Sequence, residues 1–175
     1  MRWWIWLWCV VAVVATAPTA SAHDAELRRP LHLPHVKPGA ACPVSHPDSS
    51  VDFAGFGIAR GIGRGPAYPI GISRGVLFLA PAAGADAGSP WAGQKVLWFV
   101  HPRYRGAVLV RGRRLDGPGL VRFDRGMLPA NELRIPAGTE ERPSFTRLRE
   151  AGCYGYQIDG ASFSRIVVFR ATGIP

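Results

Sequence analysis

Residues 152–170, GCYGYQIDGASFSRIVVFR, decide how this chain folds. Asp159-Gly160 lies between two runs rich in aromatic and β-branched residues, and an Asp-Gly pair in that setting is the strongest short-range hairpin signal. Read as a type I′ turn, it puts Ile158 opposite Ala161, Tyr156 opposite Phe163 and Tyr154 opposite Arg165. Side chains alternate along a strand, so Tyr154, Tyr156, Ile158, Ala161, Phe163, Val167 and Phe169 share one face. Cys153, Gly155, Gln157, Ser162 and Ser164 take the other.

Outward from this hairpin, the same vocabulary recurs. Lys95 to Val100 and Ala107 to Arg111 flank the loop His101–Gly106. Arg113 to Asp116 and Leu120 to Phe123 flank Gly117-Pro118-Gly119. Glu132 to Ile135 is a short strand closed by Pro136, and Pro143 to Arg149 leads into the hairpin. Further upstream, Tyr68 to Ile72 and Val76 to Ala80 are strand candidates, Val51 to Ala67 is glycine-rich loop and short edge strand, and Pro81 to Pro90 is an exposed small-residue linker. Short strands between Gly/Pro turns, spaced about 8–12 residues apart, indicate an all-β chain folded as an antiparallel β-sandwich, immunoglobulin-like or related. No amphipathic run is long enough for a helix, and no fixed-period repeat is present.

The N-terminal part reads differently. Met1-Arg2, the apolar run Trp3 to Ala15 and Ala20-Ser21-Ala22 have the layout of a signal peptide cleaved after Ala22, with no transmembrane span left after processing. His23 to Ser50 carries five prolines and four histidines, which forbids a helix or central strand and indicates an extended arm. The expected organisation is thus a signal peptide over 1–22, a proline-rich arm over 23–50 and a sandwich domain over 51–175. The last two total about 150 residues, enough for one core.

Twenty-one Lys and Arg face 12 Asp and Glu, a net charge of +9. Such a surface attracts anionic partners, but the charges are scattered rather than gathered into a tail or a helical stripe, which speaks against specific nucleic-acid binding.

WAGQKVLWFV (91–100), RGRRLDGPG (111–119) and the late Gly152-Cys153-Tyr154 resemble segments of small secreted bacterial proteins with no assigned reaction. The likeness covers the C-terminal half. It implies an exported β-sandwich and carries over no catalytic residue. Gly152-Cys153-Tyr154 also resembles the penultimate strand of immunoglobulin-like sandwiches.

Cys42 and Cys153 are the cysteines that remain after processing. An even pair in an exported chain is most simply a disulfide, here joining the arm to the final hairpin with Cys153 facing away from the tyrosines. His23, as a first mature residue, would offer its amine and imidazole to copper, with His32, His35 or His46 as a second imidazole. Ser45-His46-Pro47-Asp48 holds the letters of a hydrolase, but triads are assembled by folding and not by adjacency. Gly61-Ile62-Gly63-Arg64-Gly65 resembles a phosphate loop, although Pro66 and Pro69 exclude the helix that such a loop needs. Arg103, Arg105, Arg111, Arg113 and Arg114 would clasp a carboxylate or phosphate if they converge, or else pair internally with Asp116 and Asp124. Trp98 reads as core, whereas Trp91, half exposed, and Tyr104 could serve a ligand.

The expected role is an exported, non-enzymatic binding or envelope-associated module. Its expected partner is an anionic envelope component or another exported protein, without a cofactor. A copper protein built on His23 is the alternative, and a hydrolase without a recognisable motif is the third reading.

Overall fold

The computed structural model describes residues 27–173; the signal-peptide segment and His23 lie outside them. Nine strands and a 3-10 turn follow in order: β1 (Ala67–Ile70), β2 (Val76–Phe78), η1 (Gly84–Asp86), β3 (Ala92–Val100), β4 (Val108–Arg114), β5 (Arg122–Phe123), β6 (Leu133–Ile135), β7 (Glu141–Leu148), β8 (Gly152–Gly160) and β9 (Phe163–Thr172). They form two packed sheets, ordered β1-β3-β7-β5 and β2-β9-β8-β4-β6. The first order corresponds to A-B-E-D of immunoglobulin-type sandwiches and β4-β8-β9 to C-F-G. β8 is the penultimate of the described strands. Every pairing between these strands is antiparallel except β2 with β9.

Period-two patterning builds the core. Val96 and Trp98 of β3, Val110 of β4, Phe123 of β5, Tyr156 and Ile158 of β8 and Val167 and Phe169 of β9 all point between the sheets and are buried. Each aliphatic or Phe side chain buried in this way contributes about 1.5–3 kcal/mol. Trp98 meets Tyr156 edge to face at 5.1 Å across the sheets, and the Tyr156 hydroxyl shares a 2.6 Å hydrogen bond with Thr146. In antibody domains a disulfide links the corresponding strands.

The β8–β9 hairpin keeps the expected faces but not the expected turn. Gly160 pairs with Phe163, Ile158 with Arg165, Tyr156 with Val167 and Tyr154 with Phe169, so the reversal falls at Ala161-Ser162 and Ala161 is exposed. The shift is an even number of residues, which preserves each face. Its cause lies in two side-chain demands. Asp159 is wholly buried and accepts hydrogen bonds from Ser164 Oγ at 2.6 Å and Arg111 Nη2 at 2.7 Å, which a turn position would not allow. At Gly160, a Cβ would lie 2.2 Å from the Phe163 ring and 2.5 Å from the Tyr104 hydroxyl, so its glycine serves a close approach and not a positive φ.

Both outer faces of the sandwich are covered from the N-terminal side. The arm lies over β4, β8 and β9, where Leu33 and Val36 join Leu115, Cys153 and Val168 in a second buried cluster. Val36 N–H donates to Leu115 O (2.9 Å), and Ser45 N–H to Val168 O (2.8 Å). Gln157 accepts from His32 N–H at 2.7 Å and donates to Pro30 O at 2.9 Å. Cys42 and Cys153 form the disulfide, and Cys153 faces the arm, opposite the tyrosines. Over β1 and β3, Phe53 packs on Tyr68, Ile70 and Phe99. The segment from Pro81 to Pro90 is not a free linker: Asp86 is buried against Arg147, 3.0 Å from its Nη1, and accepts Gly126 N–H.

Candidate functional site

Where the arm leaves β9 it turns past the start of β1 and walls a cleft of about 970 Å³. Three chain segments and two strands meet there. The arm contributes Ser45 to Val51, fixed by the Ser45–Val168 contacts and by the Gly63 N–H to His46 O bond of 2.9 Å. Gly63 to Pro66 lines the next side, and β1 brings Tyr68. The loop after β3 brings His101 and Arg103, and β9 brings Arg165.

The cleft is basic. Arg64, Arg103 and Arg165 are exposed and line it, and none has a carboxylate partner among the described residues. Arg165 is oriented by Nε donation to Gly65 O at 3.1 Å. His101 Nδ1 accepts the Arg103 N–H at 3.2 Å. Asp48, the acid lining the cleft, is already engaged: Oδ1 accepts from Ser50 Oγ (2.6 Å) and Ser50 N–H (3.0 Å), and Oδ2 accepts from Tyr68 Oη (2.9 Å). A Cβ at Gly65 would stand 2.0 Å from the Tyr68 hydroxyl, so glycine there lets the ring reach Asp48.

These bonds set the protonation states. The Ser50 hydroxyl, foremost, with the Ser50 amide and Tyr68, holds the Asp48 carboxyl below the usual aspartate value against a smaller opposing effect of burial. Burial, and then the neighbouring Asp48 charge, hold the Tyr68 phenol well above its ordinary range, so it stays a donor. A carboxyl whose pKa is depressed by folding adds stability above its unfolded pKa, and that stability is lost as pH falls through the folded value. Asp48 thus supports the cleft at neutral pH and withdraws support only in acid. NMR titration of its side-chain carbon is expected to give a midpoint below that of an ordinary aspartate; a midpoint at or above it would contradict the assignment.

The side chains singled out from the sequence separate. Arg103 and His46 reach the cleft. Arg111 pairs with Asp159 and also donates to Arg29 O, and Arg113 donates to Leu33 O at 3.0 Å, so both serve the arm. Arg114 pairs with Asp116 and Glu150, and Arg105 with Glu140. The five arginines do not converge, because alternation along β4 sends Arg111 and Arg113 to the outer face and Arg114 to the opposite one. Internal pairing with Asp116 occurs, but Asp124 takes Arg142 instead. Tyr104 is a hairpin clamp, accepting Ala161 N–H at 3.1 Å and donating to Ala107 O at 3.0 Å. Trp91 is buried rather than half exposed, with the guanidiniums of Arg149 and Arg122 at 4.5 and 5.4 Å from its ring.

His32, His35 and His46 are exposed. Among the described residues no three His, Cys, Asp or Glu side chains gather in a metal-binding group. In Ser45-His46-Pro47-Asp48 the carboxylate is held by Ser50 and Tyr68, and Ser45 Oγ accepts Val168 N–H at 3.0 Å; neither is hydrogen bonded to His46 as a triad requires. Arg64, Tyr68, His101 and Arg165 were not legible as site residues. Their one sequence signal is the glycine-rich run 61–65, which borders the cleft without a helix behind it.

No family model matches the chain, and no curated protein or solved structure does either. Among the described residues no helix is long and apolar enough to cross a membrane.

Proposed function

We propose that this chain is an exported, non-enzymatic β-sandwich module that binds an anionic envelope or extracellular ligand in the cleft between the arm, β1 and β9. The signal-like segment 1–22 and the Cys42–Cys153 disulfide support export, since disulfides persist in oxidising compartments. The likeness of 91–100 and 111–119 to secreted bacterial proteins points the same way. One observation carries the binding reading: Arg64, Arg103 and Arg165 line one open cleft without carboxylate partners, while its one carboxylate, though charged, is engaged by the Ser50 and Tyr68 donors rather than by an arginine. Guanidiniums that have no carboxylate partner match carboxylate or phosphate oxygens.

The test is calorimetric titration with citrate and with inorganic phosphate at low salt, on the wild type and on R103Q/R165Q. Both substitutions are at exposed positions. Charge-assisted hydrogen bonds are worth about 1.5–3 kcal/mol each, so the double variant is expected to weaken binding at least about tenfold. Absence of binding by the wild type, or equal binding by the variant, would refute the proposal.

A further inference from the structure

A second depression, of about 620 Å³, lies across the Ser45-His46-Pro47 ridge from the basic cleft and shares those three residues with it. Its floor is aliphatic, formed by Val44, Ala59, Ile62 and Ile72, and it adds Arg60 and Arg74. Both arginines are exposed and have no carboxylate partner among the described residues. Elsewhere Arg28, Arg105, Arg111, Arg114, Arg142 and Arg147 pair with acids, and Arg113, Arg122, Arg125 and Arg149 are held by a backbone carbonyl or an aromatic ring. Of the arginines outside the clefts only Arg170 has neither among the described residues. Five guanidiniums without a carboxylate partner among the described residues line two neighbouring clefts, two on one side of the ridge and three on the other.

Resting on the anionic-ligand reading above, we infer that the ligand is a linear acidic polysaccharide, a chain bearing a carboxylate on successive sugar rings, laid across both clefts over the ridge. A single small anion engages one cleft and leaves the other's arginines unused. A repeating polyanion engages both, and each further contact gains from being tethered to the first. The uncharged parts of the lining fit sugar rings. The aliphatic floor accepts their C–H faces, Ser49 offers a hydroxyl partner, and Ser45, whose oxygen accepts Val168 N–H, keeps its hydroxyl proton to donate. Single-stranded nucleic acid is the polyanion that this lining fits poorly. Its binders stack successive bases on aromatic side chains, and the second cleft contains no Phe, Tyr or Trp, only the His46 of the shared ridge.

Binding of digalacturonate, of an oligogalacturonate of about ten rings and of a ten-nucleotide oligothymidylate would be compared by calorimetry in the wild type, R60Q/R74Q and R103Q/R165Q, with tethering expected to strengthen the long chain by about tenfold or more. R60Q/R74Q is expected to bring the long chain down to the affinity of the dimer, and R103Q/R165Q to weaken both sugars. Equal affinity of dimer and long chain, or no effect of R60Q/R74Q, would overturn the two-cleft inference while leaving the anion-binding proposal standing if R103Q/R165Q still weakens the dimer. Oligothymidylate binding tighter than the long sugar would overturn the polysaccharide assignment. Failure of the wild type to bind any of the three, together with citrate and phosphate, would refute both proposals.

Discussion

Asp159→Ala is expected to lower the stability of the fold by about 3–5 kcal/mol, the range for removing one partner of a buried ion pair. Asp159 has no exposed surface. Its oxygens accept from Arg111 Nη2, Ser164 Oγ and Gln157 Nε2, and Arg29 Nη1 stands 3.8 Å away. The Arg111 side chain is only 13% exposed and its Nε has no hydrogen-bond partner, so losing the carboxylate strands a buried cation. The loss reaches the arm as well, because Gln157 also holds Pro30 O and the His32 amide. Urea unfolding of the oxidised protein measures the effect. Replacing both members of the pair, as in Arg111→Met with Asp159→Leu, is expected to cost less than the sum of the single changes, since the stranded charge is then gone. A loss below about 1 kcal/mol for Asp159→Ala would show that the network does not hold the arm.

Replacing both Cys42 and Cys153 by serine is the second large effect. The disulfide closes 111 residues, and loop-closure entropy for a ring of that size sets an upper figure of ~4–5 kcal/mol, with about 2–4 kcal/mol typical in practice. The expected result is a lower urea midpoint for the serine variant, with the same loss when the wild type is reduced. Cys153 lies under Leu33 and Val36, and Cys42 stands just before the Ser45–Val51 wall of the cleft. Ligand affinity should therefore fall with the disulfide, even at temperatures where the sandwich stays folded. An unchanged midpoint would mean that the arm is held by its hydrogen bonds alone.

Strand faces were readable because alternation is a local signal: Tyr154, Tyr156, Val167 and Phe169 had to share a side whatever the turn. The position of the turn was not readable. Asp-Gly is a strong local preference, and it loses here to the need for a buried carboxylate beneath Arg111, supplied from a strand many residues away. Cysteine count and prolines announced the disulfide and an extended arm, but nothing local says which carbonyls the arm will meet. The cleft was the least legible part. Arg64, Arg103 and Arg165 are remote in sequence, and only folding tells them from the arginines that pair internally. The neighbouring Arg111, Arg113 and Arg114 resemble a site through adjacency in sequence alone; strand alternation separates them, and they pair internally.

Function and stability both depend on the arm being part of the folded unit and not a loose leader. Amide hydrogen exchange in the oxidised, unliganded protein tests this most directly, at the Val36, Ser45 and Gly63 amides that donate to Leu115 O, Val168 O and His46 O. Protection close to that of the β8 amides is the expected result, reduced in Asp159→Ala and in the serine variant. Exchange of these three amides at the rate of an unstructured chain in the oxidised wild type would contradict it, and would remove the wall on which the cleft depends.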